Sequence, residues 1–142
     1  MRRNAAGDRA SSCGCRASIM EPGLRRRNQV DTSVETKVAR IRHLNDLLRC
    51  KGIGGQVMIT AGLDAMGEGF VARVLREIAA FTAFTNENDP HGERDCARLT
   101  IDGEAIIWKI DYFDQNLEYH SPDPTDPTVT ARVMTVMLAG EY

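Results

Sequence analysis

Apolar residues recur three to four positions apart in the first ordered-looking stretch of the chain: Val34, Val38, Ile41, Leu44, Leu47 and Leu48. This spacing predicts one stripe of an amphipathic helix, with Arg40, Arg42, Asn45 and Arg49 turned to water. Thr32-Ser33-Val34-Glu35 reads as a capping box that starts it near Thr32, and Gly52, Gly54 and Gly55 stop it. Gln56 to Thr60 then reads as a short buried strand between glycines. A second helix is predicted from Glu68 to Phe81, with Phe70, Val71, Val74, Leu75, Ile78 and Phe81 inward.

From Arg98 to Asp111 the period changes to two and is broken only by Asp102-Gly103, the dipeptide that most strongly signals a hairpin between alternating residues. Its second strand, Ile106-Ile107-Trp108-Lys109-Ile110, is apolar on nearly both faces and should lie centrally, with Trp108 as a core anchor. Leu117 to His120 is expected to add a short strand. Ser121-Pro122-Asp123-Pro124-Thr125-Asp126-Pro127 is neither helix nor inner strand, because its prolines remove donors. A last helix is expected behind it, capped by Thr128 and carrying Val129, Val133, Val136 and Met137 inward. The fold class that follows is α+β: a small antiparallel sheet around a central β-hairpin, with helices packed on one face.

The 142 residues carry a net charge of -2 that hides a segregation. Through Val30, seven arginines face Asp8 and Glu21, a net +5, which leaves -7 for the rest. From Glu77 onward thirteen acids face four bases, a net -9. Residues 1–30 have no apolar stripe and no aromatic, so they read as a disordered basic N-terminal arm able to make only weak nucleic-acid contacts, and Met20 offers an alternative start. Residues 31–142 form the single domain, whose acidic surface repels nucleic acid and attracts cations or a basic partner. The arm lacks the apolar core of a secretion signal and no run is long enough to span a bilayer, so a cytoplasmic protein without membrane contact is expected.

Candidate chemistry concentrates in the polar run from Asn86 to Asp95. Asn88, Asp89, His91, Glu93 and Asp95, joined across the sheet by Asp111 and Asp114, could hold a hard cation, with Asp89, His91 and Glu93 as the nearest thing to a ligand set. The competing reading is a polar loop in which Asn86, Asn88 and Asp89 cap the preceding helix and the next turn, with no metal and no cofactor. The glycines at 52–55 follow a helix and precede a strand, the reverse of a phosphate loop. Ser121 has no nucleophile elbow, and Cys13, Cys15, Cys50 and Cys96 match neither a redox pair nor a zinc ribbon. Two functions remain open: a non-enzymatic accessory protein whose acidic face, with Glu118, Asp123 and Asp126, engages a basic or nucleic-acid-handling partner, in one version as an antirestriction-like mimic of DNA; and a metal-assisted hydrolase or phosphoryl-transfer enzyme using Asp89, His91, Glu93 and Asp95.

The runs Asn88-Asp89-Pro90-His91-Gly92-Glu93, Trp108-Lys109-Ile110-Asp111-Tyr112-Phe113-Asp114, Ser121-Pro122-Asp123-Pro124 and Arg132-Val133-Met134-Thr135-Val136-Met137-Leu138-Ala139, with Glu141-Tyr142, resemble a bacterial family of unknown function, the one numbered three-seven-six-eight. That family is carried largely by alphaproteobacteria and often encoded near plasmid or mobile-element genes. Its pattern shows histidine where this chain has Arg94, and tyrosine in place of Phe113. The resemblance implies a cytosolic bacterial protein and supplies no activity or catalytic residue.

Overall fold

The computed structural model describes residues 29–142, with side-chain environments from Ser33 onward. The expected basic arm therefore lies outside the described residues. Helix α1 spans Gln29–Lys51, β1 Gln56–Ile59, α2 Ala61–Asp64, α3 Glu68–Ala80, β2 Cys96–Ile101, β3 Glu104–Phe113 and β4 Ala131–Leu138, followed by a single 3-10 turn at Ala139–Glu141. The four strands form one sheet in the order β1-β4-β3-β2. The class is α+β.

The hairpin stands where the sequence puts it. Asp102 and Gly103 both take positive φ, 51° and 86°, which lets the two-residue turn follow the twist of β2 and β3. β3 is central, antiparallel to β2 on one side and to β4 on the other. Alternation then sends Ala97, Ile101, Ile106, Trp108, Ile110, Met134 and Val136 to one face, where Leu48, Leu63, Val74 and Ile78 of the three helices cover them. Trp108 is fully buried at the centre, edge-to-face with Phe84 at 6.2 Å between ring centroids.

Five expectations are corrected. The segment expected to be the last helix is β4: Val129, Val133 and Met137 are four apart, a spacing shared by one face of a helix and one face of a strand, and the pairing of Trp108 with Val136 and Ile110 with Met134 decides for the strand. The sheet is mixed rather than antiparallel, since β1 runs parallel to β4, pairing Gln56 with Val133 and Ile59 with Val136. β1 is also an exposed edge rather than a buried strand. Its approach to β4 is close, because a Cβ on Gly55 would lie 2.6 Å from the Arg132 carbonyl oxygen. Helix α1 begins at Gln29, so Thr32 lies inside it and the capping box does not mark its start. Leu117 to His120 is a turn held by one bridge between Phe113 and His120.

Replacing Trp108 with Ala removes a fully buried side chain from the middle strand. It should cost about 3–5 kcal/mol, read as a lowered urea midpoint. A wild-type emission maximum at the wavelength of solvated tryptophan would contradict this placement.

Candidate functional site

One turn of α1 carries three polar residues into the interior: Asn45 and Asp46, both 0% exposed, and Arg49 at 3%. Asn45 and Arg49, expected to face water, instead turn inward, Asn45 to the Glu93 carbonyl in the polar run and Arg49 to the end of α3. Asp46 is gripped from two sides, its Oδ1 by Nη2 of Arg49 and its Oδ2 by Nη1 of Arg94, each at 2.8 Å. Arg49 uses its other terminal nitrogen on the carbonyls of Ile78 at 2.6 Å and Phe81 at 3.1 Å, capping the end of α3. Its guanidinium lies over Phe84 and Trp108, 5.2 and 5.6 Å from the centroids. Among the described residues, Nε of Arg49 and Nε1 of Trp108 have no hydrogen-bond partner.

Asn45 builds a second node. Its amide nitrogen donates to the Glu93 carbonyl at 2.9 Å and to the Tyr112 hydroxyl at 2.8 Å, while its oxygen accepts from Nε of Arg132 at 2.9 Å. The Tyr112 hydroxyl donates in turn to Oε2 of Glu93 at 2.7 Å, and Arg132 lies 5.2 Å above the Tyr112 ring. Arg132 also donates to the Pro124 carbonyl. Four of the five runs that carry the family resemblance meet here. Burial first, then the bond to Glu93, holds the Tyr112 phenol far above its ordinary pKa, so it remains a donor.

The polar run is a loop shaped by local side-chain bonds, while the end of the preceding helix is capped by Arg49. Asn88 accepts from the Thr85 amide at 2.8 Å and donates to the Ala83 carbonyl at 3.0 Å. Asp89, 8% exposed, accepts from the Arg94 amide at 3.0 Å, which holds Arg94 at φ 55°. His91 is exposed, and Arg42 ties down Gly92 through its carbonyl at 2.7 Å. Asp111 lies on the sheet face opposite Tyr112 and is paired with Lys109, while Asp114 organises the turn beyond β3 through the amides of Glu118 and Tyr119. Thus Asn88, Asp89, Glu93 and Asp95 stay in one neighbourhood, and Asp111 and Asp114 go elsewhere. Among the described residues, no three His, Cys, Asp or Glu side chains are arranged to hold a metal ion.

The Asp95 carboxyl is held above its ordinary value, by burial first and by the charges of Glu93 and Asp89 in addition. The remaining candidate acids form the outer loop. Asp123 accepts from the Thr125 hydroxyl at 2.7 Å and Asp126 from the Thr128 hydroxyl at 2.7 Å, which pulls both carboxyls below the usual range. Glu118 is exposed beside them in sequence. Sequence reasoning missed Asn45, Asp46, Arg49, Tyr112 and Arg132. Arg132 was findable once β4 is read as a strand, because it shares the parity of Met134 and Val136.

The fold and site define a small α+β domain whose ionisable groups divide between a buried network and an exposed acidic loop. The chain belongs to the family described as a protein of unknown function (DUF3768), whose pattern matches residues 59–141, more than half of the chain. No curated protein and no solved structure matches it.

Two measurements check the network. Asp46→Asn leaves two guanidiniums against a neutral amide and should cost about 3–5 kcal/mol, the range for breaking a buried ion pair by removing one partner. Asp95→Asn should act in the other direction. A carboxyl whose folded pKa is raised favours the folded state below its unfolded value of 3.8 and loses that contribution as pH rises through the folded pKa. The Asn variant should therefore melt higher than wild type at pH 7, and the gain should vanish below pH 3.8.

Proposed function

We propose that the chain is a non-enzymatic interaction protein that binds the basic surface of another protein through its outer loop, residues 114–128. One observation carries this reading: Leu117 occupies the left-handed region at φ 62° while remaining 48% exposed, and Tyr119 beside it is 72% exposed. Glycine or asparagine meets that backbone demand without strain, whereas a leucine there costs roughly 1–2 kcal/mol and buries little. Strain with no packing return is the mark of a residue kept for display. An exposed aromatic and an aliphatic side chain within a charged rim have the composition of a binding hot spot.

The rim supports a basic partner. Asp114, Glu118, Asp123 and Asp126 lie in a stretch with no lysine or arginine from Asp114 to Ala131. Three of these carboxylates are held ionised by bonds to their own turns, Asp114 chiefly by the Glu118 amide, Asp123 by Thr125 and Asp126 by Thr128. Each bond uses one oxygen and fixes the direction of the other. A row of fixed charges favours fast, salt-sensitive association. In a bacterial cytoplasm, and near the mobile elements that the family resemblance suggests, a nucleic-acid-handling protein is the partner such a row suits, with the carboxylates standing in for phosphates.

The full chain serves as bait in lysate of its host, with bound protein quantified at rising salt. Tyr119→Ala and Glu118→Lys should each lower capture at least tenfold with the melting temperature unchanged, and wild-type capture should fall as salt rises because exposed charges are screened beyond about 8–10 Å. Leu117→Gly should weaken capture while raising stability by up to about 1 kcal/mol. Undiminished capture by the Tyr119 and Glu118 variants would remove the loop as the contact.

A further inference from the structure

We infer that the free edge of β1 is a self-association surface, on which two copies of the chain join their sheets antiparallel about a two-fold axis at Met58. Among the described residues, β1 ends the sheet and bonds only β4. The Thr60 amide donates to the Val136 carbonyl at 3.1 Å, so by the alternation of a parallel ladder Met58 and Gln56 also turn their backbone groups toward β4. Those of Val57 and Ile59 point outward. Every residue from Gly52 to Met58 is exposed, with Ile53 at 53%, Val57 at 38% and Met58 at 50%.

Edge strands are normally guarded by a charge, a proline or a bulge, and β1 has none of these. Its shortness is its one defence, and it limits the number of bonds rather than preventing them. The occupant is argued from charge. Residues 52–63 contain no charged side chain, whereas residues 31–142 carry a net -7. Two copies that meet at β1 therefore bring no like charges together, whereas the acidic surfaces of residues 77–142, net -9, repel each other. A partner of opposite charge would find nothing there to select it, and a two-fold contact needs only a patch that complements itself.

The geometry is specific. With the axis at Met58, Val57 pairs with Ile59 of the second copy and exchanges both backbone bonds, and Ile59 pairs with Val57 likewise, four bonds in all. Met58 then faces its own copy as a non-hydrogen-bonded pair, with Cα atoms about 4.5 Å apart and both side chains on the face away from the helices. The result is one continuous sheet through both copies.

Sedimentation of the purified full chain up to about 1 mM should show mass rising with concentration toward twice that of the monomer. Met58→Lys and Met58→Glu should each stay monomeric, because they place like charges opposite each other, and an equimolar mixture should recover the dimer. Melting curves establish that both variants fold. If either does not, Met58→Cys decides: at this Cα separation mild oxidation should link two copies through residue 58, and the wild-type chain treated alongside should not gain that link. A wild type that stays monomeric over the whole range, a Met58→Lys variant that dimerises like wild type, or a Met58→Cys variant that forms no link would each overturn the inference.

Discussion

The arrangement depends on a single buried carboxylate. Asp46 is fully enclosed and holds two guanidiniums at once, so α1, the end of α3 and the segment leading into β2 all converge on it. One negative charge against two positive ones would be unfavourable in a closed interior. The excess is met by other means: three backbone carbonyls accept from Arg49, and ring faces of Phe84 and Trp108 lie against its guanidinium, while Phe84 also faces Arg94 at 5.3 Å. Arg94 keeps part of its side chain in solvent, which lowers the desolvation cost on that side. Such a network adds little net stability over an apolar equivalent, because desolvation consumes most of the Coulombic gain. Its hydrogen-bond directions do fix which helix turn meets which loop.

Asn45, one residue earlier, extends that constraint to the sheet. Its oxygen and both hydrogens of its amide are matched, to Arg132, Tyr112 and the Glu93 backbone. A fully satisfied buried amide is stable where it stands and costly anywhere else. Two adjacent residues of one helix thereby bind segments 40 to 90 positions further along the chain, including the Pro124 loop through Arg132. The outer loop is thus anchored to the core at Pro124 and, through the hydroxyls of Ser121 and Thr130, at its base.

The hairpin, the central place of β3 and the burial of Trp108 were legible because each follows from local chemistry: a turn dipeptide with positive φ, and an alternation apolar on both parities. β4 was not. Its apolar residues fall at a spacing of four, where helix and strand periods coincide, and the deciding term is pairing with β3, which is not local. The polar core was hidden for a different reason. Asn45, Asp46 and Arg49 have the residue types of a solvated helix face, and their partners come from the end of α3, the loop before β2, and strands β3 and β4, all 29 or more residues further along the chain except the Asp46–Arg49 pair itself. Within residues 85–95 the local bonds of Asn88 and Asp89 follow from their residue types, whereas the parity of β3 turns Asp111 to the sheet face opposite Tyr112.

The division of carboxylates bears on what the domain can do. A catalytic or ligand carboxylate must present lone pairs to a shared empty point, and Asp46 and Glu93 are committed to arginines and to a phenol. Asp114, Asp123 and Asp126 are different: each gives one oxygen to its own turn, and the same bond that fixes the backbone fixes the charge in space. An acid that shapes its loop cannot swing to follow a mobile cation without undoing that loop. Held charges suit a surface that is itself rigid, and the anchoring of Pro124 to the buried network through Arg132 supplies that rigidity from the core outward.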